Sequence, residues 1–149
     1  MSLADPAQSY LKGLIESYDQ FAVDCKGGFM SRDLAPIVGG HPLMDHFIEA
    51  GGDLGYWWCR HQYEGYSARP EASVFCMANI RLPPSIRGLG IFSRYLDHVT
   101  SNPYHFKWIR VEAIDPEGDL ESYLRRRGFE EIRTNSWGNP TYQFKIEVQ

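Results

Sequence analysis

The sequence predicts one α+β domain, and three observations carry that prediction. The chain has 149 residues and a mass of 17.1 kDa, enough for a single domain with a real core. Its opening residues repeat apolar side chains at helical spacing. Its middle holds a segment, Ser73 to Leu82, that is apolar on both parities. A strand of that kind belongs inside a sheet covered on both faces.

The elements follow in order. Asp5 is a candidate N-cap and Pro6 suits the first helical position. Tyr10, Leu11, Leu14, Ile15, Tyr18, Phe21 and Ala22 then mark one helix face, which Gly27-Gly28 closes. A short helix is expected from Ser31 toward Val38. Another is expected after His41-Pro42, with Leu43, Met44, Phe47 and Ile48 on its apolar side. Tyr56 to Gln62 is aromatic-rich and reads as a strand, and Glu64 to Ala72 reads as a loop. After the Ser73–Leu82 strand, Pro83-Pro84 stops the sheet. Ile91, Phe92, Tyr95, Leu96 and Val99 form the buried face of the next helix. Lys107 to Ile114 is a strand, Leu120 to Arg127 a short helix with Gly128 at its end, and Phe129–Thr134 with Thr141–Val148 a terminal pair of strands. No linker or repeat interrupts this plan, so residues 1 to 149 read as one domain.

Composition narrows the partners. Net charge is -4 and the sequence pI is about 5.7, so a nucleic-acid ligand is not expected. No apolar run approaches the ~20 residues of a membrane span, and the first residues lack a signal-peptide pattern. A cytoplasmic protein is expected. Cys25, Cys59 and Cys76 form no C-x-x-C pair and read as small buried hydrophobes. The five histidines show no ligand spacing and read as helix-end or surface residues, so no metal is expected. Arg125-Arg126-Arg127 reads as a solvated helix end facing the C-terminal dipole.

The segment that carries chemistry is Ile80-Arg81-Leu82-Pro83-Pro84-Ser85-Ile86-Arg87-Gly88-Leu89-Gly90-Ile91. It joins the buried strand to a helix through a glycine-bearing turn. Such a turn aims backbone N–H groups and the positive end of a helix at one place, where a phosphate or pyrophosphate would sit. Arg87 could add a charge-assisted contact. The loop lacks the G-K-[ST] of a Walker motif and the third glycine of a dinucleotide fingerprint.

This stretch resembles the GNAT-type N-acetyltransferases, whose pattern is a proline-containing turn followed by Q/R-x-x-G-x-G/A at the start of a helix. Ser85-Ile86-Arg87-Gly88-Leu89-Gly90 matches at both glycines. The following strand, short helix, Gly128-Phe129 and final hairpin keep the family order over roughly residues 54 to 148. The resemblance implies a mostly antiparallel mixed sheet with splayed central strands and flanking helices. It also implies acetyl-CoA as cofactor. The pyrophosphate would rest on Arg87, Gly88, Leu89, Gly90 and Ile91, and the pantetheine arm would run beside Met77, Asn79, Ile80 and Leu82. The chain departs from the pattern in three places. Ser85 replaces the first Q/R, Glu117 replaces an asparagine, and Leu124 stands where a tyrosine is usual, with Tyr123 one position earlier.

Acetyl transfer to an amine needs a base, an oxyanion donor and a proton for the leaving thiolate. A backbone N–H within Met77 to Asn79 is the candidate oxyanion donor. A water held by Glu64, His61, Glu112 or Asp115 is the candidate base, and Tyr123 the candidate acid. The competing reading makes His61 and Glu64 solvated loop residues and Tyr123 a packing residue. Tyr56, Trp57, Trp58, Tyr63, Tyr66 and Trp137, with Asp53 and Glu64 at the rim, could form a pocket for a cationic small-molecule or peptide amine. The alternatives to an enzyme are a CoA- or acyl-CoA-binding module without catalysis and a pure interaction domain. A homodimer stays open.

Overall fold

The computed structural model describes residues 4–25, 29–36, 55–63, 72–112, 120–134 and 140–146. The elements in chain order are helix α1 (Ala4–Asp24), strand β1 (Met30–Asp33), strand β2 (Tyr56–Tyr63) and strand β3 (Ser73–Arg81). A 3-10 turn at Pro84–Ile86 leads into helix α2 (Ile91–Ser101). Strand β4 (Trp108–Val111), helix α3 (Leu120–Arg126), strand β5 (Glu130–Thr134) and strand β6 (Pro140–Lys145) complete the order.

Six strands make one mixed sheet in the order β1-β2-β3-β4-β6-β5. Every neighbouring pair is antiparallel except β3 and β4, which run parallel. A parallel pair needs a crossover, and α2 supplies it. The expected mostly antiparallel mixed sheet is therefore present.

Periodicity explains the helices. On α1, Tyr10, Leu14, Tyr18, Phe21 and Ala22 are all buried, while Leu11 and Ile15 lie at the edge of the face. Tyr18 meets Phe75 edge-on at 5.0 Å between ring centroids, and Phe21 meets it at 5.9 Å. On α2, Ile91, Tyr95, Leu96 and Val99 are buried as their spacing predicts. Tyr95 packs edge-on against Trp57 at 5.0 Å. Helix α3 ties to α2 through Tyr123 on Phe92 at 5.9 Å and through an Arg127–Asp97 ion pair of 2.8 Å. These contacts put the three described helices on one face of the sheet. That face carries Trp57, Cys59 and His61 of β2, Phe75 and Met77 of β3, and Ile109 and Val111 of β4. Each large apolar side chain buried there contributes roughly 1.5–3 kcal/mol.

Ser73 to Met77 are buried without a break, so Val74 and Cys76 are covered on the opposite face too. The expectation of a strand covered on both sides holds for that half of β3. No helix among the described residues is long and apolar enough to cross a membrane.

Three expectations change. Met30–Asp33 is a strand paired with β2, not the start of a helix. The Asp33 carboxylate fixes it by accepting N–H bonds from Ala35 and Trp57, both 2.9 Å. His61 is buried on β2 rather than lying in a loop or at the surface. Of the three arginines closing α3, Arg125 donates to the Tyr142 hydroxyl and Arg127 to Asp97 and Tyr123, so only Arg126 fits a purely solvated helix end. The expected helix after His41-Pro42 lies outside the described residues, as do Asp53, Glu64, Tyr66, Asp115 and Trp137.

Candidate active site

Strand β3 changes character along its length. Among the described residues, its ladder with β4 runs from Val74↔Trp108 to Met77↔Val111, four residues before β3 ends at Arg81. The last link is the Glu112 N–H donating to the Met77 carbonyl at 3.0 Å. On the other edge, Trp58 pairs with Asn79 but Cys59 pairs with Met77, which leaves Ala78 as the extra residue of a β-bulge. Bulges bend a strand and re-aim its groups, often beside functional sites. The bulge and the end of the ladder coincide within Met77 to Asn79. From Ala78 onward the strand is only half-buried or exposed.

Beyond the strand, the chain enters the glycine turn. Gly88 and Gly90 have φ of 75° and 81°, conformations that L side chains rarely adopt. A Cβ built on either would meet nothing within 4 Å, so both face open space. Gly90 is the N-cap of α2 and no side chain caps that helix. The first-turn N–H groups therefore have no side-chain acceptor, and the helix dipole adds a partial positive charge there. Arg87 donates its Nε to the Leu82 carbonyl at 3.0 Å, which braces the turn.

Two polar groups lie on opposite faces of the sheet. Glu112 follows β4 on the face away from the helices, and its carboxylate pairs with the Arg60 guanidinium from β2. Tyr123 lies on the helix face, half-buried with Phe92, Leu120, Ile80 and Leu82 along the rim of the core. Its hydroxyl accepts a bond from Arg127 Nη1 at 3.1 Å. A guanidinium has only donors, so the tyrosine oxygen must be the acceptor and its own proton is directed elsewhere. Leu124, at the position where the resemblance expects tyrosine, is fully buried in the core.

No family model and no curated protein matches the chain. Solved structures do. The chain is similar to the GNAT domain of a protein from S. lividans at 15% identity, covering 64% of this chain and 56% of that one with a TM-score of 0.44. The chain thus spans little more than half of that molecule. It is also similar to an acetyltransferase of Agrobacterium tumefaciens, at 16% identity over 91% of this chain and 88% of that one, TM-score 0.45. A GNAT-family acetyltransferase of Elizabethkingia anophelis with acetyl-CoA bound aligns at 13% identity over 83% of this chain and all of that one, TM-score 0.42. At such identities and TM-scores, the functional reading stands on the site's own geometry.

The structure brings most of the cofactor candidates together and separates the catalytic ones. Asn79, Ile80, Leu82, Arg87, Gly88, Leu89, Gly90 and Ile91 form one continuous run from the end of β3 to α2. Met77 borders that run, but its side chain is buried under the helices and its carbonyl is taken by the Glu112 N–H. Tyr123 lies beside the run. His61 does not: it pairs with Phe75 near the other end of β3, and its Nε2 lies 2.7 Å from Ser73 Oγ. Of the candidate aromatics, Trp57 is core and Tyr63 meets Phe29 at 5.3 Å at the far end of β2. Trp58 is exposed and opposite Asn79. The Arg60–Glu112 pair carried no signal in sequence, since its members stand 52 positions apart.

Proposed function

We propose that the chain is an acetyl-CoA-dependent N-acyltransferase acting on a small-molecule or peptide amine. One observation carries this reading. The described β3–β4 ladder ends at a bulge, and the half-buried end of β3 runs straight into a glycine turn that faces open space at an uncapped helix start. An elongated ligand with an anionic middle and a thin apolar arm fits that track. The pyrophosphate takes the N–H groups of Gly88 to Ile91, and the arm lies along Ala78 to Leu82 against Phe92 and Leu120. The thioester then reaches the end of the described β3–β4 ladder, beside Met77 and Glu112.

Each chemical requirement has a candidate there. The amine arrives from the face of Trp58 and Glu112, and Glu112, held by Arg60, takes its proton directly or through water. Backbone N–H groups at the bulge stabilise the oxyanion. As the C–S bond breaks, the Tyr123 hydroxyl gives its proton to the sulfur and Arg127 steadies the phenol oxygen. Base and acid act from opposite faces of the sheet, with the reacting carbonyl between them.

The alternative is a CoA-binding module without catalysis, and the burial of Leu124 at the usual tyrosine position favours it. Calorimetry with acetyl-CoA and thiol release over an amine panel separate the two. Binding with turnover supports the enzyme; binding without turnover on any amine leaves the module. No binding to the folded protein at millimolar acetyl-CoA overturns both.

A further inference from the structure

Away from the glycine turn, three groups distant in sequence converge in the core. Cys25 directly follows α1, His61 sits in β2, and His105 lies in the turn after α2. One potential ligand atom from each lies within 4.8 Å of the other two. Cys25 and His61 are buried and His105 is half-buried. The geometry points to a zinc site formed by Cys25, His61 and His105.

The Cys25–His105 distance suits that metal. A tetrahedral zinc with bonds of about 2.3 Å to sulfur and about 2.05 Å to nitrogen sets its S···N edges at about 3.6 Å. Cys25 Sγ stands 3.6 Å from His105 Nε2. The two imidazoles lie 5.2 Å apart between centroids and are perpendicular, so they can aim nitrogens at one point without stacking. Thiolate and imidazole together select zinc over magnesium or calcium, which take oxygen.

The surroundings fit as well. Ser73 Oγ lies 2.7 Å from His61 Nε2, the kind of partner that fixes a ligand ring while its other nitrogen binds the metal. Phe106 packs on both imidazoles, at 4.5 Å from His105 and 5.7 Å from His61. The residue before His105, Tyr104, has φ of 52°, and no other non-glycine among the described residues has a positive φ. Burial holds the Cys25 thiol up at about 11, so it is neutral without metal. Zinc would displace its proton to solvent. Three protein ligands leave a fourth position for water or another donor. The site would tie the end of α1 to β2 and to the α2–β4 turn, and it is independent of what the glycine turn binds.

The test uses the full-length, reduced, metal-stripped protein and cobalt(II) as a spectroscopic stand-in, with zinc as competitor. The expected result is a thiolate-to-cobalt charge-transfer band saturating at one metal per chain and abolished by zinc. Cys25→Ser should remove the band. His105→Ala should weaken zinc binding at least about a hundredfold, and Ser73→Ala about 10- to 100-fold. Cys76→Ser, which alters a buried thiol on the other face, should leave the band intact. Circular dichroism checks that each variant folds. If Cys25→Ser does not fold, the His105→Ala and Cys76→Ser arms still decide. Absence of the band in folded wild type means that the cluster is only a thiol–imidazole hydrogen bond, and overturns the site. Loss of the band in Cys76→Ser, or full zinc affinity in folded His105→Ala, overturns it equally.

Discussion

The two halves of β3 differ more than their sequences suggest. Ser73 to Met77 is laddered on both edges and buried on both faces, with Phe75 inside a cluster of Tyr18, Phe21 and Phe106 rings. Ala78 to Arg81 is laddered to β2, bulged at its start and half exposed. The first half is where burial stabilises the domain. The second half is laddered to β2, has no described partner on its other edge, and is less covered, which is what the proposed site requires. A single strand thus joins anchor to site, and its rigid part positions its open part.

The sharpest way to break this contrast is to delete a ring from the anchor. Phe75→Ala should cost about 3–5 kcal/mol in a denaturant titration, because the surrounding rings cannot collapse fully into the cavity. Asn79→Ala, four residues on, should stay within about 0.5 kcal/mol. Equal losses at both would erase the distinction. On the proposed chemistry, Tyr123→Phe keeps the ring on Phe92 and removes only the hydroxyl. It should lower kcat by ~10²–10⁴ with acetyl-CoA affinity intact. Glu112→Gln should lower kcat by about 10² in the same assay, and an unchanged kcat would pass the base role to another group. At the turn, Gly88→Ala and Gly90→Ala should each cost about 1–2 kcal/mol of backbone strain. They should also weaken acetyl-CoA binding in calorimetry, since the new methyl enters the ligand's space.

The gentlest test uses pH on the anchor. Burial raises Cys76 to about 12. An unfolded chain ionises this thiol near pH 9 while the folded one keeps it neutral. Stability from this source is therefore full below pH 9 and is lost as pH climbs from 9 toward 12. Urea midpoints should fall over that window, and Cys76→Ser should flatten the fall.

Legibility in the sequence followed the same contrast. Helix α2 and the buried half of β3 were readable because apolar spacing there reports burial directly. The glycine turn was readable because few residues other than glycine tolerate its φ values. β1 was not: Met-Ser-Arg-Asp has no strand-forming run, and it is a strand because β2 and the Asp33 carboxylate hold it. The Arg60–Glu112 pair and the Cys25–His61–His105 cluster were equally hidden. Both are made by strand register and by where helices end, which spacing along one chain does not encode. Tyr123 was readable as a candidate only by its neighbourhood to Leu124. Its link to Arg127 and Phe92 needed the packing of α3 on α2.

Strand β5 lies at one edge of the described sheet, and its residues begin Glu130-Glu131-Ile132. Its ladder with β6 slips between Glu131 and Arg133, so Ile132 is bulged out and exposed. An open edge of regular backbone invites another chain to add itself and to start a fibre. Two carboxylates and a kink at this edge turn that invitation away. A chain with charged side chains and a bulge on its border strand can remain dispersed at concentrations where a smoother edge would nucleate aggregates.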